Sequence, residues 1–133
     1  MNSPDMIEVS CALIIENGKV LATQRSSVMP HPFKWEFPGG KLKGGEEPKA
    51  SIVREIREEL GLEVEPLEVL SPVVHRYASG SVKLIPVSCN IVEGIISLSE
   101  HTAYRWLSCG ELDEVDWLEA DVEVLKQVRS LIC

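Results

Sequence analysis

Gly40–Leu62 reads GKLKGGEEPKASIVREIREELGL, and the rest of the chain is best understood outward from this stretch. Gly44 and Gly45 lead into Glu46-Glu47-Pro48 and then a run with helical periodicity that stops at Gly61. Proline suits the first turn of a helix and glycine its C-terminal cap, while Glu46 and Glu47 are placed to complement the positive end of the helix dipole. The spacing therefore predicts a helix that starts near Pro48 and is capped by Gly61. At about 100° per residue, Ile52, Val53, Ile56 and Leu60 share one stripe and Glu55, Glu58 and Glu59 another. Side chains at i, i+3 and i+4 are neighbours, with Cβ atoms about 5–6 Å apart, so the three carboxylates converge and repel. Three glutamates alone fit a solvated acidic face equally well. Directly after a glycine-rich loop, they fit a divalent cation with oxygen ligands, and Mg²⁺ is usually shared with substrate phosphates. The stretch thus points to Mg²⁺ chemistry on phosphates, with Mn²⁺ as a substitute.

Upstream, Ile7 to Ile15 reads as a mostly apolar strand, Asn17-Gly18 as a hairpin turn and Lys19 to Gln24 as the returning strand. Ser26 to Lys34 holds Pro30 and Pro32 and reads as an irregular loop. Trp35-Glu36-Phe37 is a short extended piece ended by Pro38-Gly39-Gly40. Downstream, Val64 to Tyr77 and Val82 to Val92 read as strands turned at Ser79-Gly80-Ser81, with Pro86 suggesting an edge or a bulge in the second. Tyr104 to Leu107 adds a short strand. Ala120 to Ile132 closes the chain as one amphipathic helix with Val124, Leu125, Val128, Leu131 and Ile132 on its apolar side. Two helices among many strands predict an α/β fold, a mixed β-sheet sandwiched between α-helices, in a single domain over residues 1–133.

The 133 residues, 44% of them hydrophobic, suffice for one ordinary core. A formal net charge of −8 disfavours nucleic-acid polymers and anionic membranes as partners, since both reward clustered cations. A small nucleotide remains a fitting partner, because Arg25, Lys34, Lys41 and Lys43 crowd the glycine loop. Cys11, Cys89, Cys109 and Cys133 form no CxxC pair and read as ordinary reduced thiols. No apolar run is long enough to span a bilayer and the N-terminus lacks a secretion signal, so the expected compartment is the cytoplasm. His31, His75 and His101 lack ligand spacing and read as surface or loop histidines.

Gly40, Glu46, Arg54, Glu55, Ile56, Glu58, Glu59, Gly61 and Leu62 fit every fixed position of the Nudix box, G-x5-E-x7-R-E-U-x-E-E-x-G-U, where U is a bulky aliphatic. The likeness runs through most of the chain, since Ala22–Arg25, Trp35–Lys41 and Glu100–Trp106 resemble small MutT-type members of that family, nearest to bacterial CTP pyrophosphohydrolases. The resemblance implies a mixed sheet between helices and hydrolysis of a nucleoside triphosphate to the monophosphate and pyrophosphate. CTP, dCTP or modified pyrimidine nucleotides are the implied substrates, with 8-oxo-dGTP as the alternative. A non-catalytic nucleotide-binding module is the more distant reading.

By the same resemblance, Glu55, Glu58 and Glu59 would hold the metal with the backbone carbonyl of Gly39 and, from a remote loop, Glu100. Pyrophosphate hydrolysis needs an activated water and neutralised phosphoryl charge. Glu55 or Glu58 is the expected base, with Glu100 as the alternative. Arg54 would support the site by fixing a glutamate or a loop carbonyl, or simply pair with Glu58. Arg25 and Lys41 match phosphate-contacting positions of relatives. Trp35 and Phe37 offer rings to the nucleoside, although one of them is expected to enter the core. Asp121 matches a position where relatives read the base edge, and a carboxylate suits the exocyclic amine of cytosine; its plainer role is an acid at a helix start. The sequence leaves monomer and homodimer equally open.

Overall fold

The computed structural model of the chain describes residues 6–133. β1 (Ile7–Glu16) turns through Asn17 and Gly18 into β2 (Lys19–Gln24), and both turn residues take positive φ, 52° and 73°, as a tight hairpin of this kind requires. Only the last residues of β1 pair with β2, Ile15 with Val20 and Glu16 with Lys19. From Ile7 to Ile14 the strand instead runs parallel to β7 (Gly80–Glu93), and Val9–Cys11 also pair with β4 (Gly39–Lys41). β1 therefore lies inside the sheet with both faces covered, which accounts for its continuous apolar run. Cys11 and Leu13 enter the core on one side of the sheet, and Ala12 and Ile14 the core on the other.

The strand expected from Val64 to Tyr77 is divided into β5 (Glu63–Val69) and β6 (Val73–Tyr77), which pair with successive parts of β7. Pro86 consequently sits in an interior strand rather than at an edge. Its carbonyl accepts the Leu70 N–H at 2.8 Å at the break between β5 and β6, where neither strand has a ladder pair opposite Pro86, so its missing N–H interrupts no pairing on that side. β3 (Trp35–Glu36) and β8 (Ala103–Leu107) complete the sheet on either side of β2.

α1 (Pro48–Leu60) covers one face and buries Ile52, Ile56 and Leu60 against Ala12, Ile14 and Val87, while Val53 is only half-buried. Gly61 ends the helix at φ 66°, its N–H donating to the Arg57 carbonyl at 3.1 Å. The opposite face is covered by a 3-10 segment (Cys109–Glu114), α2 (Glu119–Val122) and α3 (Leu125–Ile132). The single closing helix expected from Ala120 is thus interrupted, because Glu123 and Val124 donate to carbonyls three residues back, at 3.3 and 3.0 Å, which tightens the chain by a turn. Val124, Leu125 and Val128 enter the core as expected, but Leu131 is 40% exposed. The helices flank a mixed sheet, as the sequence predicts.

One expectation about the cysteines fails. Cys109 and Cys133 form a disulfide, with Cα atoms 5.4 Å apart, because α3 lays the chain end beside the start of the 3-10 segment. Cys11 and Cys89 are free and buried. Among the described residues, no helix is long and apolar enough to cross a membrane.

Candidate active site

The segment from Trp35 to Lys41 crosses between the two halves of the sheet. β3 belongs to β2, β4 belongs to β1, and between them the Pro38 carbonyl accepts the Ala12 N–H at 2.7 Å. Gly39 and Gly40 are needed here for close approach rather than for positive φ. A Cβ on Gly39 would collide with the Ser10 carbonyl, and one on Gly40 would stand 2.5 Å from the Glu55 carboxylate. In the loop that follows, Gly45 does take positive φ, 75°.

Glu46 and Glu47 do not cap α1 with their side chains. Glu46 instead accepts the Lys43 N–H at 3.0 Å and both Nε and Nη2 of Arg54 at 2.9 Å. This fork holds the Glu46 carboxyl down at about 2 and keeps the Arg54 guanidinium charged well above its ordinary range. Arg54 also donates to Glu55 Oε1 at 2.7 Å, to Glu58 Oε2 at 3.4 Å and to the Lys41 carbonyl at 3.2 Å. One arginine thus ties the glycine loop to two of the three glutamates on the helix face.

Glu59 is different. Among the described residues its Oε2 is buried without a hydrogen-bond partner, and burial, with the neighbouring Glu55 carboxylate and then Glu36 adding to it, pushes the Glu59 carboxyl far above its ordinary range, with the Gly39 backbone pulling the other way. Among the described residues, no three His, Cys, Asp or Glu side chains are gathered closely enough to enclose an ion, with Arg54 drawing on Glu55 and Glu58. The side chains that the sequence nominates nonetheless fit a hard divalent cation: all are carboxylates, they repel one another, and one buried oxygen lacks any partner among the described residues. Glu100 is exposed on the loop before β8.

Beside the glutamates opens a pocket of ≈ 250 Å³ walled by Arg25, His31, Glu36, Phe37, Gly39, Tyr77 and Asp121, among others. Asp121 is 3% exposed, and its Oδ2 accepts the Phe37 N–H at 2.8 Å. Burial first, and then Glu36, pushes the Asp121 carboxyl well above its ordinary range. Arg25 donates to Glu36 Oε1 at 2.8 Å and to the Pro30 carbonyl at 2.7 Å.

Phe37 packs on Trp117, ring centroids 4.7 Å apart, and still lines the pocket. Trp35, two residues away and so on the same side of the extended chain, is half-buried against the same core and does not line the pocket. Lys41 is exposed and lines a separate groove with Lys43 and Gly44. The structure therefore brings Arg25, Phe37 and Asp121 together and leaves Trp35, Lys41 and Glu100 outside that pocket.

Two residues escape a reading of the sequence. His101, expected on the surface, is 8% exposed, and its Nε2 lies 2.8 Å from Glu36 Oε2. Strand alternation supplies the signal that could have found Glu36, since it must face away from Trp35 and Phe37.

Residues 5–128 match the NUDIX domain family, and the chain belongs to that family. It is 36% identical over 114 residues to a protein of Mycobacterium tuberculosis described as putative 8-oxo-dGTP diphosphatase 2, covering 85% of this chain and 81% of that one. It is 32% identical over 126 residues to the CTP pyrophosphohydrolase of Escherichia coli, covering 95% and 93%. Among solved structures, the MutT protein of Methanosarcina mazei superposes with a TM-score of 0.86 at 26% identity, covering 98% of each chain. Family and relatives together make the protein a Nudix hydrolase.

Proposed function

We propose that this enzyme is a Mg²⁺-dependent pyrophosphohydrolase that takes a nucleoside triphosphate and water to the monophosphate and pyrophosphate, with CTP, dCTP or a modified pyrimidine nucleotide as substrate. The observation that carries the proposal is the adjacency of two sites through one residue. Gly39 lines the pocket that holds Asp121, and its backbone lies close enough to Glu59 on the acidic helix face to pull the pKa of that carboxyl downward. A nucleoside in the pocket would thus present its phosphates to the glutamates.

In this reading Glu55, Glu58, Glu59 and the Gly39 carbonyl hold Mg²⁺, or Mn²⁺ in its place, and Glu100 joins from its loop. The bound ion would supply neutralisation of phosphoryl charge and a more acidic water. Glu55 and Glu58 are the base candidates within the cluster. Glu58 is the freer of the two, since its side chain is 58% exposed and Arg54 touches it at only 3.4 Å, against 2.7 Å for Glu55. Arg54 keeps both acids beside the loop. Arg25 and Lys41 are the cations for the phosphates, and Arg25 is the one on the pocket wall.

Asp121 spends Oδ2 on the Phe37 N–H, and its other oxygen has no partner among the described residues. A buried carboxyl that keeps its proton offers a donor beside an acceptor, which matches N3 and the exocyclic amine of cytosine. The same pair also matches the O6 acceptor and N1–H donor of a guanine ring. Together with the relative named for 8-oxo-dGTP, this favours oxidised purine triphosphates as the second reading.

Release of pyrophosphate from a panel of canonical and oxidised ribo- and deoxyribonucleoside triphosphates, with ADP-ribose included, separates the readings in Mg²⁺ and in Mn²⁺. Highest kcat/KM for CTP or dCTP supports the first, and highest for 8-oxo-dGTP transfers the assignment to the second. Nucleotide binding without release of any product from the panel would reject both.

A further inference from the structure

Two buried atoms of the site face each other with no hydrogen-bond partner among the described residues: His101 Nδ1 and Glu59 Oε2, 3.8 Å apart. The other ring nitrogen, Nε2, is held by Glu36 Oε2 at 2.8 Å, and the second oxygen of Glu36 accepts from Arg25 at 2.8 Å. The His101 side chain is only 4% exposed, and the next residue, Thr102, donates its N–H to the Gln24 carbonyl at 2.9 Å, which fastens this stretch of loop to β2. A ring fixed at one nitrogen aims the other in a set direction. The gap of 3.8 Å is too long for a hydrogen bond, but a movement of about 1 Å would close it.

We infer that His101 is a positioning residue of the metal site: with an N–H on each ring nitrogen, Nε2–H donating to Glu36 and Nδ1–H to Glu59 Oε2, it turns the other oxygen of Glu59 toward the ion. The hold is passed from Arg25 on the nucleoside pocket through Glu36 to His101, so one row of side chains sets both the pocket wall and a metal-binding acid. This inference rests on Glu59 being a ligand. Outer partners that orient metal-binding side chains change metal affinity by about 10–100-fold when removed.

The test is Mn²⁺ affinity of the full chain at one fixed pH, read from free Mn²⁺ by electron paramagnetic resonance, with metal-free thermal unfolding as the check on folding. In His101→Gln the amide can replace Nε2 toward Glu36 but leaves the Glu59 side empty, and affinity should fall about 10–100-fold. In His101→Asn the amide lies where Nδ1 was, and most of the affinity should remain. Glu59→Gln should lose affinity, and adding His101→Gln to it should cause no further loss, because the histidine acts through that glutamate. Equal losses in the two histidine variants, additive losses in the double variant, or unchanged affinity in His101→Gln beside a weakened Glu59→Gln would each overturn the inference alone. Unchanged affinity in Glu59→Gln would overturn the ligand reading and this inference with it. Should His101→Gln fail to fold, Glu36→Gln decides: a loss in the same direction supports the row of contacts, and wild-type affinity rejects it.

Discussion

Burial and the Glu55 carboxylate hold the Glu59 carboxyl in its protonated form far above the ordinary value of 4.5, so ionising Glu59 works against the fold. An acid whose folded pKa is raised costs stability progressively as pH climbs from its unfolded value toward the folded one. Glu59→Gln should therefore raise the Tm of the metal-free protein by a few degrees at pH 8, with the advantage fading toward pH 4.5; Mg²⁺ should raise the Tm of the wild type, and the variant should lose that increase. A difference in Tm that stays constant between pH 5 and pH 8 would contradict the assignment of strain to this carboxyl. At the exposed Glu58, Glu58→Gln should leave metal-free stability unchanged while lowering turnover at least about a hundredfold; near-wild-type turnover would remove Glu58 from the site. These glutamates were legible because a helix repeats its neighbours at fixed sequence intervals. Glu36 and His101 were not, because 65 residues separate them and only the pairing of β8 and β3 with β2 brings them together.

At the scale of elements, the same distinction separates α1 from the C-terminal helices. α1 has Pro48 at one end and Gly61 at the other, so its limits are written in residues whose own conformations start and stop a helix. Gly61→Ala would force a Cβ into the left-handed region at φ 66°, at a cost of about 1–2 kcal/mol, and should lower Tm by several degrees without changing substrate preference. The break after α2 has no such local marker. The short helix before it is instead held in place by tertiary contacts: the Ala120 N–H donates to the Tyr77 hydroxyl at 2.9 Å, and Asp121 turns its carboxyl inward to Phe37. His75 on β6 adds a clasp, with Nε2 3.0 Å from Glu119 and Nδ1 2.6 Å from Glu123, and these contacts, that to Glu119 foremost, raise its pKa. A raised histidine contributes stability that is complete below its unfolded value of about 6.5 and disappears as pH rises through the folded one. The Tm deficit of His75→Gln should accordingly be larger at pH 6 than at pH 8.5, and a deficit independent of pH would show that the ring contributes packing alone.

For the molecule as a whole, the mixed sheet between helices follows from strand and helix patterns that are local, whereas the closure of the chain on itself depends on a pair of residues 24 apart that no motif links. Cys109 opens the 3-10 segment and Cys133 follows α3, so their bond pins the last helix across the sheet face that also carries Trp117 and Phe37. Closing a loop of this length in the unfolded chain corresponds to about 3–4 kcal/mol of stability on the loop-entropy estimate. A reductant should therefore lower the Tm of the wild type, and Cys133→Ser should start at that lower Tm and respond to reductant no further. Because α3 packs into the core and does not line the pocket that holds Asp121, kcat/KM at temperatures well below either Tm should stay within a few-fold of the oxidised enzyme. If reduction left Tm unchanged, the bond would be marginal to the fold; if it abolished activity in a protein that remained folded, the final helix would have to be counted as part of the catalytic apparatus.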